Sequence, residues 1–291
     1  MKKSISRIAL TDYASKSELF AYLRKNEGVV IAQKRAFPIM TDDLDFGYNI
    51  LSEVVPFASK ASGTAPENPN ELKVDIVGNL SGWCDSYMDV MIKDNWNKSI
   101  SDLGASGQKL VYHLKNHDYS TDSIVGKDAT LYSKMIDLSI FNLTTDVKKA
   151  QALMMSSTVM REYDSKCFML YRDKQVKQHS IGLQYIKIFM CMDSEEPEDA
   201  QYKENWDKYY SDVINKEKVN KSGYFFAVTE SKIIEVSVVL FGANELTPVE
   251  SMEGKAEDTP IEPHVSTQSE PLEKAEPIMC RWEKMAAQLT A

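Results

Sequence analysis

The sequence is poor in the residues that usually announce metal or redox chemistry. Its 291 residues include only four histidines and four cysteines. Cys84, Cys167, Cys191 and Cys280 share no C-x-x-C spacing, which excludes a zinc ribbon or a thioredoxin-like pair. Scattered cysteines without a secretory leader fit a reducing cytoplasm, where they act as small buried hydrophobes. No run approaches the roughly 18 apolar residues of a membrane-spanning helix. The opening MKKSISRIALTDYASKSE is basic but lacks the apolar stretch of a signal peptide. A positive excess is missing too: 34 Lys+Arg stand against 43 Asp+Glu, a net charge of −9. That balance argues against nucleic acid, whose phosphates call for clustered Lys and Arg. No internal repeat is visible.

What is present reads as a globular chain, 43% hydrophobic and 26% charged. Residues 1–70 read as an N-terminal extension and linker, a candidate propeptide. Within them Ser15-x-x-Glu18 has the form of a capping box ahead of Leu19, Phe20 and Leu23 at helical spacing. Val29–Ala32 after Gly28 reads as a short strand. SKASGTAPENPNE, residues 58–70, has linker composition.

Residues 71–249 form the expected main domain. KVDIV, YMDVMI, QKLVYHL, LYSKMIDLSIF, HSIGLQYIKIFMCM, GYFFAVTE and KIIEVSVVLF read as strands. Thr145 and Asp146 predict a capped helix carrying Val147, Ala150 and Met154 to about Met160. Tyr202, Trp206, Tyr209, Tyr210 and Val213 mark one face of another helix. Residues 250–291 hold nine acidic and four basic residues and four of the ten prolines. That is the composition of a disordered acidic arm, with a short helix near RWEKMAAQL.

Few residues can carry chemistry. His117 lies in a polar turn after a predicted strand, where a lone imidazole is more often solvated than catalytic. His113 lies four residues earlier, but strand-then-turn geometry removes the shared helix face that a zinc site would use. Ser180, in HSIG, begins an apolar strand, and Gly182 behind it permits close approach of another backbone or a substrate. Glu235 interrupts the apolar run IIEVSVV. Such a carboxylate faces solvent or meets a partner, because burying it unpaired is costly.

In order along the chain, NHD…IVG, HSIG and EVSVV…AN resemble the signature of the prohead (procapsid maturation) serine proteases of tailed bacteriophages. Met88-Asp89-Val90-Met91 is similar to that family's opening strands. The resemblance spans about Val74 to Val249. It departs at Leu183, where the family usually has an aromatic residue, and at Leu240-Phe241-Gly242, where a proline is usual. The Trp206/Tyr209 helix stands as an insertion.

The resemblance implies an α+β fold: a β-rich barrel of about six or seven strands flanked by helices, as in the herpesvirus assemblins. It implies Ser180 as nucleophile, His117 as general base and Glu235 as the third member. The assemblins use a second histidine in that third role. His179 is disfavoured for it here, since neighbours on a strand face opposite ways. The oxyanion donors stay open between amides near Ser180 and the Lys221–Gly223 turn. No metal or cofactor is expected. The implied activity is cleavage of scaffold and capsid-protein segments, and of the chain itself, by a homo-oligomer inside an assembling procapsid in the host cytoplasm. A non-enzymatic scaffold that retains a protease-like domain is the alternative.

Overall fold

A computed structural model describes residues 13–35, 68–103, 111–143 and 145–253. Helix α1 (Lys16–Arg35) begins at the predicted capping box. Ser15 Oγ accepts from Glu18 N–H at 3.2 Å, and Glu18 Oε2 accepts from Ala14 N–H at 2.9 Å. Val29–Ala32 belongs to this helix and not to a strand: Gly28 sits in open space, and Val30 turns into the core.

The extension is therefore not separate from the domain over residues 16–35. Leu19, Phe20, Leu23 and Val30 join the main apolar cluster, and burying each large side chain is worth roughly 1.5–3 kcal/mol. Polar contacts reinforce the docking, with Arg24 on Asp199 at 2.5 Å and Lys34 on Asp89 at 2.6 Å. The predicted linker over 58–67 lies outside the described residues.

The remaining elements are β1 (Glu71–Leu80), β2 (Asp89–Met91), α2 (Asn97–Leu103), β3 (Tyr112–Lys115), β4 (Ile124–Asp137) and β5 (Lys149–Met160). They continue with α3 (Ser165–Arg172), β6 (Gln178–Met192), α4 (Ala200–Tyr209), α5 (Lys216–Ser222), β7 (Tyr224–Val239) and β8 (Val249–Glu253). Two predicted strands, GYFFAVTE and KIIEVSVV, are one continuous β7. The aromatic helix is α4, with Tyr202, Trp206 and Tyr209 buried.

The helix predicted over 145–160 is instead β5. Ala150 through Met155 are all buried, because β5 is central in the sheet and covered on both faces, Leu153 and Met155 entering one apolar cluster and Ala150, Ala152 and Met154 another. A strand covered on both sides loses its alternation and reads as a plain apolar run. At the far end, β8 pairs with β1 from Lys73 to Ile76. The ordered domain thus runs past the predicted boundary at 249, while residues 254–291 lie outside the described residues.

The fold is α+β and β-rich, with eight strands among the described residues joined in one mixed sheet. Strand β7 pairs antiparallel with β6 along one edge and parallel with β2 and β3 along the other. The sheet then runs β3–β4–β5–β1–β8. It does not close into the expected barrel. Strands β1 and β6 pack together without a ladder between them: a Cβ placed on Gly78 would lie 3.1 Å from Ile181 Cγ2. The segment before β8 bridges their start, with Val77 N–H on the Pro248 carbonyl and His179 N–H on the Thr247 carbonyl, both at 3.0 Å; beyond Val77 the two strands are not paired.

Candidate active site

His117 is presented by a strained turn. Strand β3 ends at Lys115, and Asp118 N–H donates to the Lys115 carbonyl at 3.1 Å. The two central residues, Asn116 and His117, have φ of 55° and 53°, as a type I′ turn requires. Left-handed backbone at a non-glycine residue costs on the order of 1–3 kcal/mol and persists only where its surroundings hold it.

Strand β7 does the holding. Asn116 N–H donates to the Val238 carbonyl at 3.0 Å, and His117 N–H to Ser237 Oγ at 3.1 Å. His117 Nδ1 lies 2.6 Å from Glu235 Oε1. A carboxylate only accepts, so Nδ1 carries a proton, which in the neutral ring leaves the lone pair on Nε2. Ser237 Oγ donates to the other carboxylate oxygen, Oε2, at 2.6 Å. Glu235 is 1% exposed in its side chain and His117 12%, so the carboxylate does not face solvent. Both its oxygens are occupied, which satisfies the condition for burying it.

Gly182 makes room for this pair. It lies opposite Glu235 in the β6–β7 register. A Cβ there would overlap Glu235 Oε1 and stand 2.9 Å from Tyr119 Oη. The Tyr119 phenol is shifted up, first by burial and then by the charge of Glu235.

Ser180 lies one step before Ile181, opposite Ser237. Together with His117 it lines an open cleft in the β1–β6 seam, walled also by Gly78, Asn79 and Asn244. His117 and Ser180 thus share one cleft, without a hydrogen bond between them here. Catalytic contacts are often long before substrate draws them together.

His179 faces the other way, as strand alternation predicts. It is fully buried and donates from Nδ1 to the Thr247 carbonyl at 2.9 Å. Its Nε2 accepts from Tyr171 Oη at 2.7 Å, and Tyr171 Oη in turn meets His113 Nε2 at 2.9 Å. His113 Nδ1 meets Ser157 Oγ at 3.1 Å. Burial lowers both imidazoles, His113 to about 3 and His179 to about 4. These two histidines are neutral parts of the core, not members of the site.

The Lys221–Gly223 turn is also remote. It lies at the opposite end of the β6–β7 ladder, where a Cβ on Gly223 would stand 2.9 Å from Phe20 of α1. It cannot supply oxyanion donors to Ser180.

A buried charge cluster forms the far cleft wall. Lys34 Nζ donates to Asp89 Oδ1 and, at 3.0 Å, to the Tyr87 carbonyl. Tyr185 Oη donates to Asp89 Oδ2 at 2.8 Å. Burial, then the neighbouring Asp89 charge, raises the Asp85 carboxyl to about 7. Among the described residues no group of three His, Cys, Asp or Glu side chains converges to hold a metal. None of the described helices is long and apolar enough to cross a membrane.

No protein-family model matches the chain, and neither a curated protein nor a solved structure does. Sequence reading missed Ser237, Tyr119 and Lys34. Ser237 was within reach: in EVS, residues two apart on a strand share a face, so a serine beside a buried glutamate points at it. Lys34 carried no such signal.

Proposed function

We propose that this chain is a serine endopeptidase with Ser180 as nucleophile, His117 as general base and Glu235 as the group that orients and stabilises the imidazole. The observation that carries the reading is the buried His117–Glu235 pair, whose uncommitted Nε2 belongs to a cleft shared with Ser180. Following the resemblance, the substrates are scaffold and coat-protein segments, and the chain itself, inside an assembling procapsid. A scaffold that only binds coat protein has no use for such a pair.

A neutral hydroxyl is a weak nucleophile, so the Ser180 proton must pass to His117 Nε2 as Oγ bonds to the scissile carbonyl carbon. The carbonyl electron pair moves onto oxygen. Its return breaks the C–N bond, and the proton on Nε2 goes to the leaving amine. Water then repeats the sequence on the acyl-enzyme, releasing the acid and restoring Ser180. Glu235 keeps Nδ1 protonated throughout and stabilises the transient imidazolium.

The test is cleavage of purified coat-protein precursor, with mass spectrometry of the chain's own termini. Ser180→Ala should abolish processing while leaving the circular dichroism spectrum unchanged. Glu235→Gln should slow it by about 10³–10⁴-fold, since an amide favours the other tautomer. Full processing by Ser180→Ala overturns the assignment.

A further inference from the structure

We infer that Asn79 is a further catalytic residue, whose side-chain N–H donates to the oxyanion formed when Ser180 attacks. This rests on the protease reading and supplies the part that reading lacks. Asn79 lines the cleft with Ser180 and is only 6% exposed. It follows Gly78 at a break in the β1–β5 register, an irregularity of the kind that re-aims a side chain. Gly78 brings that bulge against Ile181, the residue after Ser180.

The orientation of the Asn79 amide follows from its neighbour. Asn244 Oδ1 accepts from Leu246 N–H at 3.0 Å, and Asn244 Nδ2 donates to the Leu80 carbonyl at 3.1 Å. The Asn244 amide is therefore fixed, with Nδ2 as its donor. That same Nδ2 lies 3.3 Å from Asn79 Oδ1. Asn79 thus spends its acceptor on Asn244, and its own Nδ2 has no acceptor among the described residues. That Nδ2 is not sealed in the core but open to the cleft, where a substrate oxygen would meet it.

A second donor stands on the same seam. His179 N–H points away from β7, to the Thr247 carbonyl at 3.0 Å. Along a regular antiparallel strand every other amide points the same way, which directs Ile181 N–H toward β1. The Asn79 amide and the Ile181 amide would then hold the oxyanion from two sides, while His117 serves the other side of the attacking serine.

The experiment compares kcat and KM for a fluorogenic peptide cut from the precursor, together with the affinity of the matching peptide aldehyde. The aldehyde forms a tetrahedral adduct with a serine. Wild-type cleavage that is lost in Ser180→Ala establishes the protease reading first. Asn79→Ala removes the donor without adding charge, and Asn79→Asp keeps the acceptor that Asn244 uses. Both should lower kcat about 10²–10³-fold, the usual cost of one oxyanion donor. KM should stay within threefold and aldehyde affinity should fall in parallel with kcat. Should the alanine variant fail to fold by circular dichroism, the aspartate variant carries the test. A folded Asn79→Ala with wild-type kcat, or a loss confined to KM, overturns the inference and leaves the protease reading standing. Absence of wild-type cleavage overturns both.

Discussion

His117 is held twice, by its ring and by its backbone, and both holds come from β7. Glu235 fixes the ring at Nδ1, and Ser237 receives the main-chain N–H while donating to Glu235. A left-handed residue secured in this way has lost its side-chain freedom before any substrate arrives, which is the preorganisation that general-base catalysis rewards. The most sensitive neighbour is Gly182, since any side chain there displaces the Glu235 carboxylate. Gly182→Ala is expected to fold, because β6 is otherwise intact, and to lose at least 10²-fold in kcat by breaking the ring contact. Steady-state kinetics beside a thermal melt would check this; wild-type kcat in a folded variant would show that the Glu235 contact is dispensable.

At the scale of elements, legibility tracked how many faces each one buries. Strands with one wetter side, such as β4, were readable from alternation. Strand β5 was not, since Ala, Leu and Met favour helices in isolation while cover on both sides makes them a central strand. The same limit hid the docking of α1, whose partners lie far away along the chain. Glu235 and His117 were individually legible as oddities, a carboxylate in an apolar run and an imidazole in a turn. Their pairing across 118 positions came only from the ordered resemblance. Asn79 gave no signal, because an asparagine near a strand end reads as turn chemistry.

Helix α1 offers the clearest element-scale test. Lys34→Met removes one partner of a buried ion pair and leaves Asp89 with an uncompensated charge. The expected loss is about 3–5 kcal/mol by urea denaturation. Adding Asp89→Asn should restore part of it. An unchanged midpoint in the single variant would mean that α1 contributes nothing through this contact.

For the whole molecule, the open sheet and the cleft are one feature. Had β1 and β6 paired, the backbone groups beside Ser180 would be consumed and Gly78 and Asn79 would face a neighbouring strand. Stability also has a whole-molecule signature in pH. His113 and His179 have folded-state values of about 3 and 4, below the ordinary 6.5. The unfolded chain therefore binds more protons on acidification, and their contribution is present above about pH 6.5 and lost as pH falls through 4 and 3. Asp85, raised to about 7, acts in the opposite sense and offsets part of the loss. The discriminating measurement is a slope: between pH 7 and 5, His179→Gln should lose about 2 kcal/mol less than the wild type. Parallel slopes in urea titrations would show that this imidazole does not drive the change.

The joint between Arg35 and Asn68 has its own consequence. The helix before it is anchored by Leu19, Phe20 and Leu23 and by ion pairs to Asp89 and Asp199. A peptide bond cut anywhere between those two residues would therefore leave two fragments clasped as one particle. Removal of a leader and severing of a leader are then different events for this molecule. Self-cleavage there would change the mass of the intact particle by only one water, and the two pieces would part only once the chains are unfolded.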